Sequence, residues 1–381
     1  MENKTDYQAE LFSNRLQKKY RELRKWARKN RISCYRLYDR DIPEIPVSLD
    51  LYEFLPDTID HTIEAARFMS EQNAKLSANI RGIEEEIKQR TFAVIYLYER
   101  PYQKDEHEEE IWLEKMSEQC CKVLGIEKSH IIKKMRKHFN HNAGNQYKKE
   151  NTIGESDSVS SINGLIQEQG QLFRTDLTTY LDTGLFFDHR PLRSLVRETC
   201  SNKRVLNLFC YTGSFSVYAA QGNASYIESV DLSNTYLDWA KENMKLNGFS
   251  DKKKYVYTKT DCIRFLQEKA TGVKSGKIKN EELYDLIILD PPTFSNSKST
   301  QDVLDINRDW PQLVKDCLNI LTPGGILYFS TNSERIKFDL SKLPSKTAAG
   351  IDFNCNDITY QTIPQDFERK KPHKCWQFKL V

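Results

Sequence analysis

Apolar positions at Leu16, Tyr20, Leu23 and Ala27 recur at helical spacing and predict a helix over 11–31 with basic residues on its remaining surface. Two extended runs follow, 34–38 and 47–52. The turn-rich stretch between them, with Pro43 and Pro46, predicts a hairpin. Residues 60–90 are polar and helix-prone. A strand is predicted at 92–98, a helix at 108–124 and a strand at 131–135. Residues 139–162 are rich in Asn, Gly, Ser, Lys and Glu and read as a loop, and 165–177 carries the punctuation of a second hairpin. These features predict a mixed sheet-and-helix domain over 1–175, a platform suited to nucleic acid.

From Arg204 the pattern becomes strand–helix alternation, the signature of a doubly wound parallel sheet. Strands fit at 204–209, 225–231, 254–259, 284–290 and 324–330, and helices at 213–221, 233–247, 261–270 and 302–321. Two further extended runs lie in 351–381, and 272–282 is a polar insertion. The expected second domain, 176–381, is a Rossmann-like α/β fold with a mostly parallel seven-stranded sheet.

Two of these strands stop abruptly in small, polar or proline residues, Val205-Leu-Asn-Leu-Phe-Cys-Tyr-Thr-Gly213 and Leu286-Ile-Ile-Leu-Asp-Pro-Pro-Thr293. Loops delivered in this way to the carboxyl edge of an open sheet bind ligands. The first has one glycine, Gly213, and lacks the G-x-G-x-x-G that would let a backbone approach a pyrophosphate. An amino-acid-plus-nucleoside ligand fits better than NAD, which points to a methyltransferase using S-adenosylmethionine. Asp231 ends the next strand, eighteen residues after Gly213, where an acid can accept ribose hydroxyls. Asp261 opens the following helix, either as its N-cap or as an acceptor for the adenine amino group. Asp290, Pro291 and Pro292 form the candidate catalytic ridge. The prolines remove two backbone donors and leave carbonyls for a flat base edge. Phe294 follows Thr293, where adenine-N6 enzymes carry an aromatic directly after the prolines.

Methylation at C5 of a pyrimidine needs a cysteine nucleophile. Cys210, Cys262 and Cys375 are poorly placed for it, the last in what reads as a closing strand. Transfer to a bare ring nitrogen such as guanine N7 needs alignment and no general base. With no His or Lys in these two motifs, the pattern suits that acceptor class.

The charge distribution bears on the substrate more than the net value of +3 does. Nine Lys or Arg and one acid lie between Asn14 and Arg31, and seven with no acid between Lys128 and Lys149. Nine scattered cysteines without metal-ligand spacing fit a reducing cytoplasm and no metal site. No run is apolar and long enough to span a membrane.

The segments at 207–213, 230–240, 243–248, 290–297 and 365–367, with 34–39 and 181–190, closely resemble the guanine-N7 methyltransferase half of the bifunctional bacterial 23S rRNA methyltransferase. That resemblance implies a free-standing version of the half, acting on 23S rRNA or a large-subunit precursor and lacking N2 activity. A separate N2-guanine methyltransferase is then a candidate partner. It implies that Asp182, Leu185, Phe187, Asp188 and Arg190 close over the cofactor. Asn207, Phe209, Tyr211 and Thr212 would line it, and Asp231, Asp261 and Asp290 would contact its ribose, adenine and reactive end. Asn145, Gln146, Tyr147, Lys148 and Lys149 would reach RNA, joined on charge by Lys18, Arg21 and Lys25. Alternatives are a related enzyme making 5-methylcytosine and a non-catalytic RNA-binding assembly factor. Cofactor binding in solution separates the second from an enzyme.

Overall fold

The first predicted helix is α1 (Lys4–Lys29), and it starts earlier than the pattern implies. Gln8, Ala9 and Phe12 extend the buried seam that continues through Leu16, Leu23 and Ala27. The computed structural model describes residues 4–100, 105–136, 161–295, 303–368 and 370–381. They fall into two compact units, Met1–Phe187 and Asp188–Val381.

In the first unit, β1 (Cys34–Asp39) and β2 (Val47–Glu53) form an antiparallel hairpin, and β3 (Thr91–Tyr98) pairs antiparallel with β2. The polar region at 60–90 provides α2 (Thr62–Ser77) and α3 (Ile83–Lys88). After β3, α4 (Glu106–Leu124) makes the crossover that a parallel neighbour requires, and β4 (Ile131–Arg136) pairs parallel with β3. Phe12, Leu16, Leu23, Trp112 and Met116 from α1 and α4 share one apolar core with Leu49, Leu51, Ile95 and Leu97 of the sheet. A second hairpin, β5 (Asn163–Glu168) and β6 (Gln171–Asp176), turns at Gln169 and Gly170. Both have positive φ, 51° and 91°, as a two-residue turn between twisted strands demands.

The segment after β6 is tied to this same unit. Buried Lys134 donates to the carbonyls of Tyr180 and Leu181, Arg136 pairs with Asp182 at 2.8 Å, and Tyr52 bonds Thr183 at 2.8 Å. Residues 176–187, assigned from sequence to the second domain, therefore belong with the first unit. Burial pushes the Lys134 ammonium down to about 8.

The second unit begins with α5 (Arg190–Thr199) and alternates β7 (Arg204–Leu208), α6 (Ser214–Gln221), β8 (Tyr226–Asp231), α7 (Asn234–Leu246), β9 (Tyr255–Lys259), α8 (Cys262–Lys274) and β10 (Tyr284–Leu289). A short ribbon of β11 (Phe294–Ser295) and β12 (Leu304–Asp305) precedes α9 (Ile306–Asn319) and β13 (Leu321–Thr331). β14 (Phe353–Asp357), the four-residue α10 (Thr359–Thr362) and β15 (Lys374–Leu380) complete it. The seven strands run β14-β15-β13-β10-β7-β8-β9. The five from β13 to β9 are parallel, and β15 is antiparallel to both β13 and β14. From β7 the chain winds through β8 and β9 to one side and through β10 and β13 to the other. The switch point therefore lies between β7 and β10. Ser233, Asp261 and Asp305 cap α7, α8 and α9 through their side chains, which places each helix start just past a strand end. No helix among the described residues is long and apolar enough to cross a membrane.

At Gly222, just after α6, a Cβ would meet the Arg197 carbonyl at 2.2 Å and Cys200 Sγ at 2.4 Å. Gly222→Ala should force α6 away from α5 and cost about 1–3 kcal/mol, as overpacking does. Urea unfolding checks this; an unchanged midpoint would mean the two helices separate freely.

Candidate active site

β7 and β10 lie side by side, so their loops emerge together at the switch point. The β7 loop is held in an uncommon backbone form. Phe209, Tyr211 and Gly213 have φ of 54°, 50° and 74°. Two non-glycine residues in the left-handed region carry strain of about 1–3 kcal/mol each, which persists where surrounding structure enforces it. That enforcement is on view. Phe209 N donates to Cys262 Sγ (3.2 Å), Cys210 N to Val230 O (3.0 Å), Tyr211 N to Asp231 Oδ2 (3.0 Å) and Gly213 N to Cys210 O (2.8 Å). Asn243 Nδ2 also donates to Thr212 O at 2.9 Å, and Asn207 Nδ2 to Ser216 Oγ at 2.9 Å. At Gly213 a Cβ would lie 2.7 Å from the Ala240 Cβ, so α7 excludes any side chain there.

These bonds decide what the loop can hold. A phosphate cradle presents free backbone N–H groups. Here four of the loop's donors are spent on the protein itself. What the site offers is the partly exposed Asp231 at the end of β8, beside Tyr211, which packs edge-on to Tyr236 with centroids 4.6 Å apart. Burial raises the Asp231 carboxyl above its ordinary range, partly countered by the N–H groups of Ser233 and Tyr211. A nucleoside, whose hydroxyls donate and which carries no phosphate, fits this acceptor. Asp261 caps α8, its Oδ1 accepting from Ile263 N (2.7 Å) and Arg264 N (3.0 Å).

The β10 loop is braced differently. Thr293 Oγ1 donates to Asn332 Oδ1 at 2.6 Å, and Ile306 N donates to Thr293 O at 3.1 Å. Pro291 is buried, Pro292 half-buried, and Phe294 is 44% exposed on the short ribbon.

Behind Asp290 lies a polar array that the sequence reading missed. His189 Nε2 is 2.8 Å from Ser330 Oγ and 3.4 Å from Asp290 Oδ1. Its Nδ1 is 3.4 Å from Asp188 Oδ2, close enough for charge but not aligned for a hydrogen bond, so this buried nitrogen lacks a hydrogen-bond partner. His373 stacks on His189 with centroids 4.4 Å apart, and its Nδ1 and Nε2 face Asp188 Oδ2 (3.0 Å) and Thr362 Oγ1 (2.9 Å). The two loop motifs themselves contain no histidine, and both histidines beside Asp290 come from other stretches of the chain. The signal was available in Asp188-His189, but about a hundred residues separate His189 from Asp290, and only folding joins them.

Burial alone would lower the His189 imidazolium, but Asp290 and Asp188 lift it to about 10. Burial would likewise raise the two carboxyls. The nearby charge of His189 holds Asp290 below the usual carboxylate range and, with the hydrogen bond of His373, holds Asp188 well below it. Asp188, His189 and His373 also lie close enough to suggest a metal site. The imidazole planes are within 16° of parallel, so their in-plane lone pairs run side by side and do not converge on one ion.

The remaining expected residues divide between the two units. Arg190 pairs with Asp366 at 2.9 Å, both side chains buried. Asp182, Leu185 and Phe187 lie in the first unit, Asp182 on Arg136 and Phe187 packed against Tyr52. Lys18, Arg21 and Lys25 line the exposed face of α1. Asn145, Gln146, Tyr147, Lys148 and Lys149 lie outside the described residues. Cys375 sits in β15, fully buried, and burial pushes its thiol well up, as it does for Cys210 and Cys262.

Residues 144–354 match the family model of S-adenosylmethionine-dependent methyltransferases. The chain is 37% identical over 375 residues to the ribosomal RNA large subunit methyltransferase K/L of Cellvibrio japonicus, covering 97% of this chain and 42% of that protein. It is 38% identical over 368 residues to the ribosomal RNA large subunit methyltransferase K of Neisseria meningitidis, covering 97% of this chain and 86% of that one. The chain thus spans about two-fifths of the K/L relatives it matches. Among solved structures, a methyltransferase complexed with S-adenosylhomocysteine aligns at TM-score 0.65 and 19% identity, over 97% of this chain and 81% of that one. An S-adenosylmethionine-dependent methyltransferase from Streptococcus mutans aligns at 0.64 and 19%, with the same coverage. At that identity the likeness shows the fold.

Because the His189 proton is held more tightly in the folded protein, its stabilisation is complete below about 6.5 and is lost as pH rises through about 10. The difference in unfolding free energy between wild type and His189→Gln should therefore be largest in mild acid and shrink towards pH 10. A gap independent of pH would mean that His189 contributes shape and no charge.

Proposed function

The chain belongs to the S-adenosylmethionine-dependent methyltransferase family, and from that premise we propose that it methylates N7 of a guanine in the 23S ribosomal RNA of the large subunit. The names of its K and K/L relatives supply the RNA class. The observation that carries the choice of atom is the pairing of Asp290 with His189.

Bound S-adenosylmethionine supplies an electrophilic methyl group on a sulfonium. The chain's own residues hold and orient. Asp231 accepts the ribose hydroxyls, the strained loop of Phe209, Tyr211, Thr212 and Gly213 shapes the wall, and Asn207 braces that loop from beneath. Asp261, which caps α8 through Oδ1, would accept from the adenine amino group with its second oxygen. Pro291 and Pro292 present carbonyls without competing donors, and Phe294 offers an exposed ring to the acceptor base.

An exocyclic amine sheds a proton when it is methylated, whereas guanine N7 uses a lone pair and sheds none. Asp290, held below the ordinary carboxylate range by an imidazolium, is a weak proton acceptor. His189, already protonated at neutral pH, cannot serve as the base either. C5 chemistry requires a thiolate, and the nearby thiols are buried with their protons held. N7 is the acceptor that asks least of such a site.

Labelled-methyl transfer to protein-free 23S rRNA, followed by nucleoside mass spectrometry, should yield 7-methylguanosine. N2-methylguanosine or 5-methylcytidine would overturn the assignment.

The basic face of α1, together with Asn145 to Lys149, is the proposed RNA contact. Reversing Lys18, Arg21 and Lys25 to Glu should weaken RNA binding and flatten the slope of log affinity against log salt by about 2, at about 0.7 per lost phosphate contact on single strands. An unmoved slope in a salt titration would leave α1 as a solvated face.

A further inference from the structure

The carboxyl edge of the second unit's sheet has two halves. Cofactor loops follow β7, β8 and β9, and the acceptor loop follows β10. Beyond β10 the edge continues across β13, β15 and β14. Because β15 starts opposite Thr331 and β14 ends opposite Trp376, the connection 358–373 also lies on this edge. At about 4.8 Å per strand, it stands roughly 10–15 Å from the β10 loop.

This connection is rigidly anchored and yet presents an aromatic ring to solvent. Ile358 N donates to Cys375 O (2.9 Å), Cys375 N to Thr359 Oγ1 (3.0 Å), Thr359 N to Asp357 Oδ1 (2.9 Å), and Thr362 Oγ1 to Thr359 O (2.8 Å). Ile358, Thr359 and Thr362 are buried. Tyr360, between the anchors, is 76% exposed, more than any other aromatic residue described. The ammonium of exposed Lys371 sits 4.8 Å from its ring centroid. Of the acids in the connection, Asp366 pairs with Arg190, and Glu368 is the other. Through Thr362 and His373 the same anchors reach the array behind Asp290.

We propose that Tyr360 and Lys371 form a stacking platform for an unpaired nucleobase of the RNA substrate, a short run of single strand away from the methylated base. The ring takes the base face and the ammonium takes the adjoining phosphate. This combination holds single strands without reading sequence. The platform rests on the RNA reading above, and it adds a grip on the acceptor half of the edge that is independent of α1.

The test is fluorescence-detected binding of a short single-stranded RNA of mixed sequence to the full chain, with cofactor affinity measured in parallel. Tyr360→Ala should weaken RNA binding on the order of 10-fold, as loss of one base–aromatic stack does, with S-adenosylmethionine affinity unchanged. Tyr360→Trp should retain binding and show quenching of the new indole on titration, a signature that a merely structural role would not give. Lys371→Gln should flatten the salt slope by about 0.7. If wild type binds RNA and Tyr360→Ala binds equally well, the platform is overturned while the RNA reading stands. If wild type binds cofactor but no RNA, the RNA reading falls and the platform falls with it.

Discussion

His189 lies 3.4 Å from an oxygen of Asp188 and 3.4 Å from an oxygen of Asp290, and its charge favours the ionised form of both carboxylates against the cost of burial. An isolated buried carboxylate avoids its desolvation cost by taking a proton. The imidazolium removes that option for both. It thereby fixes the charge behind the acceptor loop and, by hydrogen-bond distance to Ser330, ties α5 to the end of β13. The antiparallel strands contribute as well, because His373 enters the array from the residue just before β15. The acceptor edge is thus assembled from four separate stretches of chain that converge on one positive charge.

The cofactor half of the edge rests on backbone conformation. Phe209 and Tyr211 adopt a left-handed form that neither residue favours, and the loop keeps it because its donors are matched one by one to Cys262, Val230 and Asp231. Those matches explain why a single glycine suffices. Gly213 is needed where α7 crowds the turn, while the other two positions are enforced by hydrogen bonding.

Sequence pattern revealed the second unit well. Buried parallel strands such as 286–289, and 205–208 with Asn207 as its one polar residue, are largely apolar runs, and their abrupt ends mark the sheet edge where ligands bind. Two helix starts were readable for the same local reason, since Ser233 and Asp261 cap helices by contacts within a few residues, whereas α9 begins at Ile306 behind its Asp305 cap, four residues later than the pattern implied. What pattern could not show was long-range. The junction of His189 with Asp290 depends on tertiary packing, as does the attachment of 176–187 to the first unit by Lys134 and Arg136. Polar residues that satisfy one another inside a fold look, along the chain, like any solvated surface.

The 2.7 Å between a Cβ at position 213 and the Ala240 Cβ has a consequence on the timescale of descent. The turn and the helix share one small volume, so no side chain can be added at 213 while Ala240 keeps its Cβ. A larger residue at 240 would need the helix to move outward, and that movement would carry Asn243 away from the Thr212 carbonyl. A change at 213 is thus conditional on 240, and with a φ of 74° in addition the glycine is held by two independent constraints.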